Sequence, residues 1–527
     1  MMANVDSRLR FVAVALFGAT ALLLSVTAPV NAAPSAGGST TGGPSGDRAE
    51  ACAELSAGES GRVAATEVVA AADGLPEYCR VVGTLSTSTN YEVRLPTTGW
   101  NGKFYMTGCG GFCGNVNADA CNGALARGYA IAATDGGHTA SAIDGSWGLD
   151  DRKAEIDWAY QAVHQVAGNS KRLVRQYYGE APAYSYFSGC SGGGREALMS
   201  AQRFPDDFDS IIAGAPANYQ AYLAGVSQTW IELAQFDGAG NRVFGVDKLG
   251  LIGAAVYDQC DGLDGLVDGQ IDDPRTCDVA AVVASLACGD PGTEGPGCLT
   301  AQEAEALIKI YDSPRNSNGD ALYPGGLPAG SEQLWFFISV GFGNSFSIGG
   351  NFAQEYHRYL AYPDDPGESF SLFDFDFDTD ASKLDPMARI YNATSPNLGG
   401  FQANGGKLLI YHGYADQLIT PYGTIAYYES LVDKMGGPEA AGDFARLFLL
   451  PGMGHCGGGP GPNVVDYLTA MENWVENGVA PDELVVSRIG ADGTVNRTRP
   501  VYPYPQVARY DGTGSTDDAA NFGPVTP

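Results

Sequence analysis

A serine between glycines, an aspartate just past one apolar run and a histidine just past the next are the residues with which this chain could attack a carbonyl carbon. Gly189-Cys190-Ser191-Gly192-Gly193 fits G-x-S-x-G, which suits the sharp strand-to-helix turn that holds a hydrolase nucleophile. With 72 glycines in the chain the pattern alone carries little weight, and a structural glycine loop would read the same way. Its flanks add weight: "YSYFSG" before it reads as a buried strand, and "GREALMSAQRFP" after it as a helix stopped by Pro205. A helix N-terminus there would also favour negative charge forming beside Ser191.

A serine hydroxyl needs a base, and the histidines are His138, His164, His357, His412 and His455. Hydrolases with this elbow run serine, acid, histidine along the chain, with acid and base on loops after later strands. His138 and His164 come too early for that order. "KLLIYHGYADQLITP" puts Asp416 past one strand end, and "ARLFLLPGMGHCGGGPG" puts His455 past the next. Ser191, Asp416 and His455 are therefore the candidate nucleophile, orienting acid and base, and His412 supports a loop or lines the pocket. A metal-binding or capping role for His455 and a turn or N-cap role for Asp416 are the competing readings, and neither explains the order. Cys190 precedes Ser191 and Cys456 follows His455. If serine and histidine meet, the two sulfurs come close enough to bond; two unrelated pairings are the alternative.

The elements that must carry these residues alternate. Apolar strand-like runs begin near 103, 129, 184, 208, 407 and 445, with helical patterns between them, the longest from 154 to 178. That alternation predicts an α/β fold, a parallel sheet covered by helices on both faces. Residues 218–395 break it with glycine, aspartate and aromatics, and the pattern then resumes, as expected for an insertion into one sheet. The predicted organisation is a signal peptide at 1–32, a flexible linker at 33–50, a first hydrolase part at 51–217, a lid at 218–395 and a second hydrolase part at 396–527. The signal rests on Arg8 and Arg10 ahead of "FVAVALFGATALLLSV" and on small residues at Val30-Asn31-Ala32; an uncleaved anchor is the alternative.

A net charge of -31 argues against nucleic acid or an anionic membrane surface as partner. The 11 cysteines behind an export signal predict several disulfides and a secreted protein, extracellular or periplasmic, the odd number leaving one cysteine unpaired or in an unusual pairing. Within the insertion, "CDGLDGLVDGQIDDPRTC" spaces carboxylates through a glycine-rich turn. Asp261, Asp264 and Asp268 could hold calcium, which accepts hard oxygen donors; the spacing is not an EF-hand, and a solvated acidic turn is the alternative. No organic cofactor is expected.

"GCSGGGRE", "HGYADQLITP" and "PGMGHCGGGPG", together with "WNGKFYMTGCGG", "IAATDGGH" and "RTRPVYPYPQVARYDG", resemble the tannase and feruloyl esterase family. The resemblance covers nearly the whole chain after the signal. It implies an α/β-hydrolase fold with a large lid insertion, a triad backed by a Cys190–Cys456 disulfide, and oxyanion-hole amides at Gly111 and Gly192. It adds the carbonyls of Leu266 and Gln270 to the calcium ligands. Cys52–Cys79, Cys260–Cys277 and Cys288–Cys298 are the further pairings expected, while Cys109, Cys113 and Cys121 stay unassigned. The chain departs from some relatives in having Tyr502 where a disulfide cysteine would stand. Members that hydrolyse mono-hydroxyethyl terephthalate carry a carboxylate-binding arginine that "NFAQEYHRYLAYPDDP" does not match.

The activity implied is a serine esterase acting through an acyl-enzyme on a small aromatic ester of feruloyl or galloyl type. A hydrolase of mono-hydroxyethyl terephthalate or a related synthetic ester is the alternative, and a binding protein that kept the fold without turnover is the alternative of another class. Trp335, Phe336, Phe337 and Phe342 could wall an aromatic acyl group or form ordinary lid core.

Overall fold

The computed structural model describes residues 45–57, 63–85, 88–289 and 295–527. The expected signal peptide and residues 33–44 of the expected linker lie outside them. Order begins earlier than the composition suggests: a helix spans Ser45–Ala57, so residues 45–50 are helical and not linker. Its Cys52 and Leu55 are each 1% exposed, and Cys52 is bonded to Cys79. Burying those two side chains fixes a segment that glycine and serine upstream had disguised.

The apolar runs form one nine-stranded sheet. Its strands are β1 (Val63–Val69), β2 (Tyr78–Leu85), β3 (Thr89–Pro96), β4 (Lys103–Thr107), β5 (Ala130–Thr134), β6 (Tyr184–Cys190), β7 (Ser210–Gly214), β8 (Lys407–Gly413) and β9 (Ala445–Leu450). The order is β1-β2-β3-β5-β4-β6-β7-β8-β9. β1, β2, β3 and β5 pair antiparallel, and every neighbouring pair from β5 to β9 is parallel. The six runs expected from sequence are β4 to β9.

Successive side chains of a strand point to opposite faces. Phe187, Ile211 and Leu408 therefore enter one core with the helices Ala162–Tyr178 and Gly192–Arg203, while Tyr186, Ile212 and Leu409 enter another with Met471 and Trp474. Burial on both faces is why these strands read as unbroken apolar runs. The helix expected over 154–178 is present but carries a π-helical turn at Asp157–Gln161.

Between β7 and β8 the chain makes the expected insertion. Helices at Leu249–Cys260, Ala301–Tyr311 and Ile348–Tyr359 are among its elements, and Ile252, Val256, Leu307, Ile310 and Trp335 share a core of their own. All the described residues nevertheless fall in one compact unit.

Candidate active site

Ser191 follows β6 directly and precedes the helix Gly192–Arg203, with φ 64° and ψ -123°. A serine rarely adopts positive φ, and such strain persists only where the surroundings impose it. Here they do. Ser191 N–H donates to Gly214 O at 3.0 Å, and Ser191 O accepts from Arg195 N at 3.0 Å and Ala217 N at 3.1 Å. A Cβ at residue 189 would lie 2.4 Å from Gly193 O, so only glycine lets strand and helix approach this closely. Buried Arg195 anchors the helix to the π-helical turn, donating to Trp158 O at 3.1 Å and Ala159 O at 3.0 Å.

Asp416 lies just beyond β8 and is wholly buried. Its Oδ1 accepts from the amides of Leu418 and Ile419, both at 2.9 Å; its Oδ2 lies 2.8 Å from His455 Nδ1 and 3.1 Å from His412 Nε2. Burial alone would raise the carboxyl pKa, but the His455 charge and hydrogen bonds from both rings hold it well below the usual carboxylate range. His412 is fully buried and does not line the pocket. Its Nε2 also faces Ile419 O at 2.8 Å and its Nδ1 faces Thr424 Oγ1 at 2.8 Å. Two acceptors around Nε2 fix the tautomer protonated there, with Nδ1 accepting from the threonine hydroxyl. Gln417 Oε1 accepts His455 N–H at 3.1 Å, a support that sequence reading missed because glutamine beside the acid has no distinctive spacing.

Cys190 and Cys456 are bonded, with Cα atoms 5.9 Å apart across 266 residues of chain. The bond sets the Ser191 turn against the His455 loop. Ser191 Oγ itself makes no hydrogen bond among the described residues, so Asp416 and His455 are paired while the hydroxyl stands free, as catalytic hydrogen bonds often do before substrate binds.

Gly111, Gly192 and Ser191 line one pocket that opens to solvent. Gly192 begins its helix, so its N–H has no intrahelical acceptor. A Cβ there would lie 2.6 Å from Gly111 O, a close approach that keeps the two backbones side by side. The Gly111 loop is closed by a Cys109–Cys113 disulfide, and Cys121 is the free, buried thiol. Behind it Glu196 accepts Cys109 N–H at 2.9 Å, and burial pushes its carboxyl up to about 7.

Of the two roles open to Trp335, Phe336, Phe337 and Phe342, walling the pocket is not the one they take. Phe112, Leu223, Ala224, Phe352, Leu418 and Ile419 supply the apolar surface. Trp335 is buried in the insertion core, and Phe336, Phe337 and Phe342 are 51%, 47% and 62% exposed and away from the pocket. The aromatic run attracted attention by composition, whereas the true wall is gathered from four separate segments.

A family model described as "Tannase and feruloyl esterase" matches residues 69–525. The chain belongs to the tannase and feruloyl esterase family. It is 38% identical over 498 residues to an uncharacterized esterase of Xanthomonas campestris, covering 85% of this chain and 84% of that one. It is 36% identical over 531 residues to the mono(2-hydroxyethyl) terephthalate hydrolase of Piscinibacter sakaiensis, covering 88% and 87%. The crystal structure of feruloyl esterase B from Aspergillus oryzae superposes with a TM-score of 0.82 at 27% identity, over 91% of this chain and 100% of that one. The fold is accordingly that of the α/β-hydrolases, and the chain is by family a carboxylic ester hydrolase.

The acidic loop of this family member is held at both ends, with Cys260 bonded to Cys277 and, nearby, Cys288 to Cys298. Asp261 accepts the amides of Asp268, Gly269 and Gln270 at 3.2, 2.9 and 3.3 Å, folding the loop around its carboxylate. Asp264 Oδ1 accepts Leu266 N–H at 2.9 Å. Asp268 turns toward Arg499, while Arg497 Nη1 donates to its carbonyl at 3.0 Å. A fourth carboxylate, Asp272, was not foreseen; burial and Asp264 push it up to about 7. Gln270 Oε1 is buried without a partner. These are hard oxygen donors of the kind calcium accepts, with Asp261 already taken by backbone amides and Asp268 by Arg499. Among the described residues, three ligand atoms within 4.8 Å of one another occur only at Cys109, Cys113 and Glu196, where the sulfurs are bonded to each other.

Proposed function

We propose that this protein is a secreted serine esterase that releases aromatic acids of the feruloyl, hydroxycinnamoyl or galloyl type from their esters. The observation that carries the reading is the Asp416–His455 pair, bonded through Cys190–Cys456 to a strained Ser191 at the mouth of an apolar pocket. With Nδ1 committed to Asp416, His455 offers Nε2 as the base that takes the Ser191 proton during attack. The developing oxyanion would be met by the amides of Gly111 and Gly192. The same imidazole returns its proton to the departing alcohol, and a water activated by it frees the acid from the acyl-enzyme.

Insertion residues Gln220, Leu223, Gln228 and Phe352 reach the pocket, which supports a lid that encloses the acyl group. Among the described residues the pocket lining holds no lysine or arginine, so a neutral aromatic ring fits it better than a terephthalate half-ester with a free carboxylate. Five disulfides suit an oxidising compartment and so support export. Calcium would be held by the carboxylates of Asp261, Asp264 and Asp268 and the carbonyls of Leu266 and Gln270. It would stiffen the insertion and take no part in acyl transfer.

The deciding measurement is release of ferulate, gallate and mono-hydroxyethyl-terephthalate-derived acid from their esters by the wild type and Ser191→Ala. The reading predicts turnover of the first two classes that falls by about 10⁴-fold or more in the variant. Undiminished hydrolysis by Ser191→Ala would remove the serine mechanism.

A further inference from the structure

Gln228 sits at the end of a π-helical turn, Leu223–Gln228, on the insertion side of the pocket. In an α-helix, residues five apart lie roughly 140° from each other around the axis. The wider turn brings Leu223 and Gln228 onto one wall together with Ala224. The side chain is 7% exposed, yet its carboxamide has no hydrogen-bond partner among the described residues, and its Oε1 is wholly buried. Buried amides are normally paired, because leaving water without a replacement partner is unfavourable. Among the described residues, only two other polar side chains line the pocket, Ser191 and Gln220, and no charged one does. An unpaired carboxamide facing apolar walls can accept one hydrogen bond and donate another, which matches a neutral hydroxyl and matches neither a carboxylate nor bare hydrocarbon.

We propose that Gln228 is the specificity-determining residue that recognises a phenolic hydroxyl on the ring of the acyl group. The inference rests on the aromatic-ester reading above and adds to it the residue that sorts one aromatic acid from another. The carboxamide accepts from the hydroxyl and donates to a ring oxygen, so selection acts on the ring substituent and leaves the bond-breaking apparatus untouched. Sites built to bond a substrate hydroxyl discriminate strongly against analogues lacking it, because their own polar group is then left unpaired.

The test compares kcat/KM for methyl 4-hydroxycinnamate, methyl cinnamate and monomethyl terephthalate. The wild type should favour the hydroxylated ester over methyl cinnamate by at least about tenfold, and over monomethyl terephthalate by more. Gln228→Leu should lose about tenfold on the hydroxylated ester and stay within about threefold on methyl cinnamate, whose turnover also reports that the variant is folded. Gln228→Asn, which keeps the carboxamide on a shorter arm, should retain part of the preference. A wild-type ratio near one, or an equal fall on both cinnamates in Gln228→Leu, would overturn the role of Gln228 while the aromatic-ester reading stands. Failure of the wild type on all three esters, with a chromogenic acetate still cleaved, would overturn both.

Discussion

Asp416 has both of its oxygens occupied by donors, two from backbone amides and two from histidines. His412 shares Oδ2 with His455. Replacing it with leucine leaves Oδ2 with His455 alone and Ile419 O with nothing. The expected loss is about 2 kcal/mol of stability and roughly tenfold in kcat, with KM little changed, read by thermal unfolding and steady-state kinetics. Glu196 gives a pH test. Its folded carboxyl titrates near 7 against an ordinary 4.5, so the folded state holds a proton that the unfolded chain has lost. Its contribution is complete below the unfolded value and is lost as pH rises through about 7. Glu196→Gln, whose Oε1 can still accept Cys109 N–H, should flatten the fall in unfolding midpoint between pH 5 and 8. The wild type should lose up to about 3 kcal/mol from this group over that interval. The meeting of Asp416 with His455, and of the Ser191 turn with the His455 loop, was legible because a fixed chain order leaves few alternatives among five histidines. Gln417 and Gln228 were not, since nothing local marks a glutamine whose value lies in what it faces.

At the level of elements, the six runs that sequence indicated are the six consecutive parallel strands of the sheet, and β5, β7, β8 and β9 are buried on both faces. β2 and β3 escaped notice because "YCRVVGTL" and "TNYEVRLP" mix buried valines and leucines with Arg80, Glu92 and Arg94, which pair with one another. Their identity as strands depends on partners across the sheet. The π-helical turns at Asp157–Gln161 and Leu223–Gln228 were equally invisible, because a single extra residue per turn leaves the apolar pattern almost intact. Among the described residues, the loops that carry Ser191 and His455 are joined by Cys190–Cys456 and by packing. Cys190→Ser with Cys456→Ser should therefore reduce kcat at least tenfold and destabilise by about 3–5 kcal/mol. Circular dichroism should keep its native shape at low temperature, and retention of full kcat would show that packing alone aligns the loops.

At the scale of the whole molecule, the chain carries a net charge of -31, and its acidic loop is clasped from the far end of the sequence. Arg497 and Arg499 engage Asp268, and Arg509 donates to Asp264 O at 2.6 Å. These contacts tie the insertion to the C-terminal strands. If calcium completes the loop, chelation should lower the unfolding midpoint by about 3 °C for an ion held at a hundredfold its Kd, and added calcium should restore it. Specific activity at 20 °C should be unchanged, which separates a structural ion from one used in catalysis. An unchanged midpoint would leave the arginines as the sole neutralising partners of the loop.

The insertion leaves the sheet at β7 and returns at β8, and those strands are hydrogen-bonded neighbours, with Gly214 opposite Tyr411. Its two feet are thus planted side by side, about 4.8 Å apart. Closing an excursion between fixed feet grows costlier only slowly with length. Lineages can therefore exchange, lengthen or re-sculpt this module without disturbing the platform that cleaves the ester. New appetites can arise above an unchanged pair of scissors.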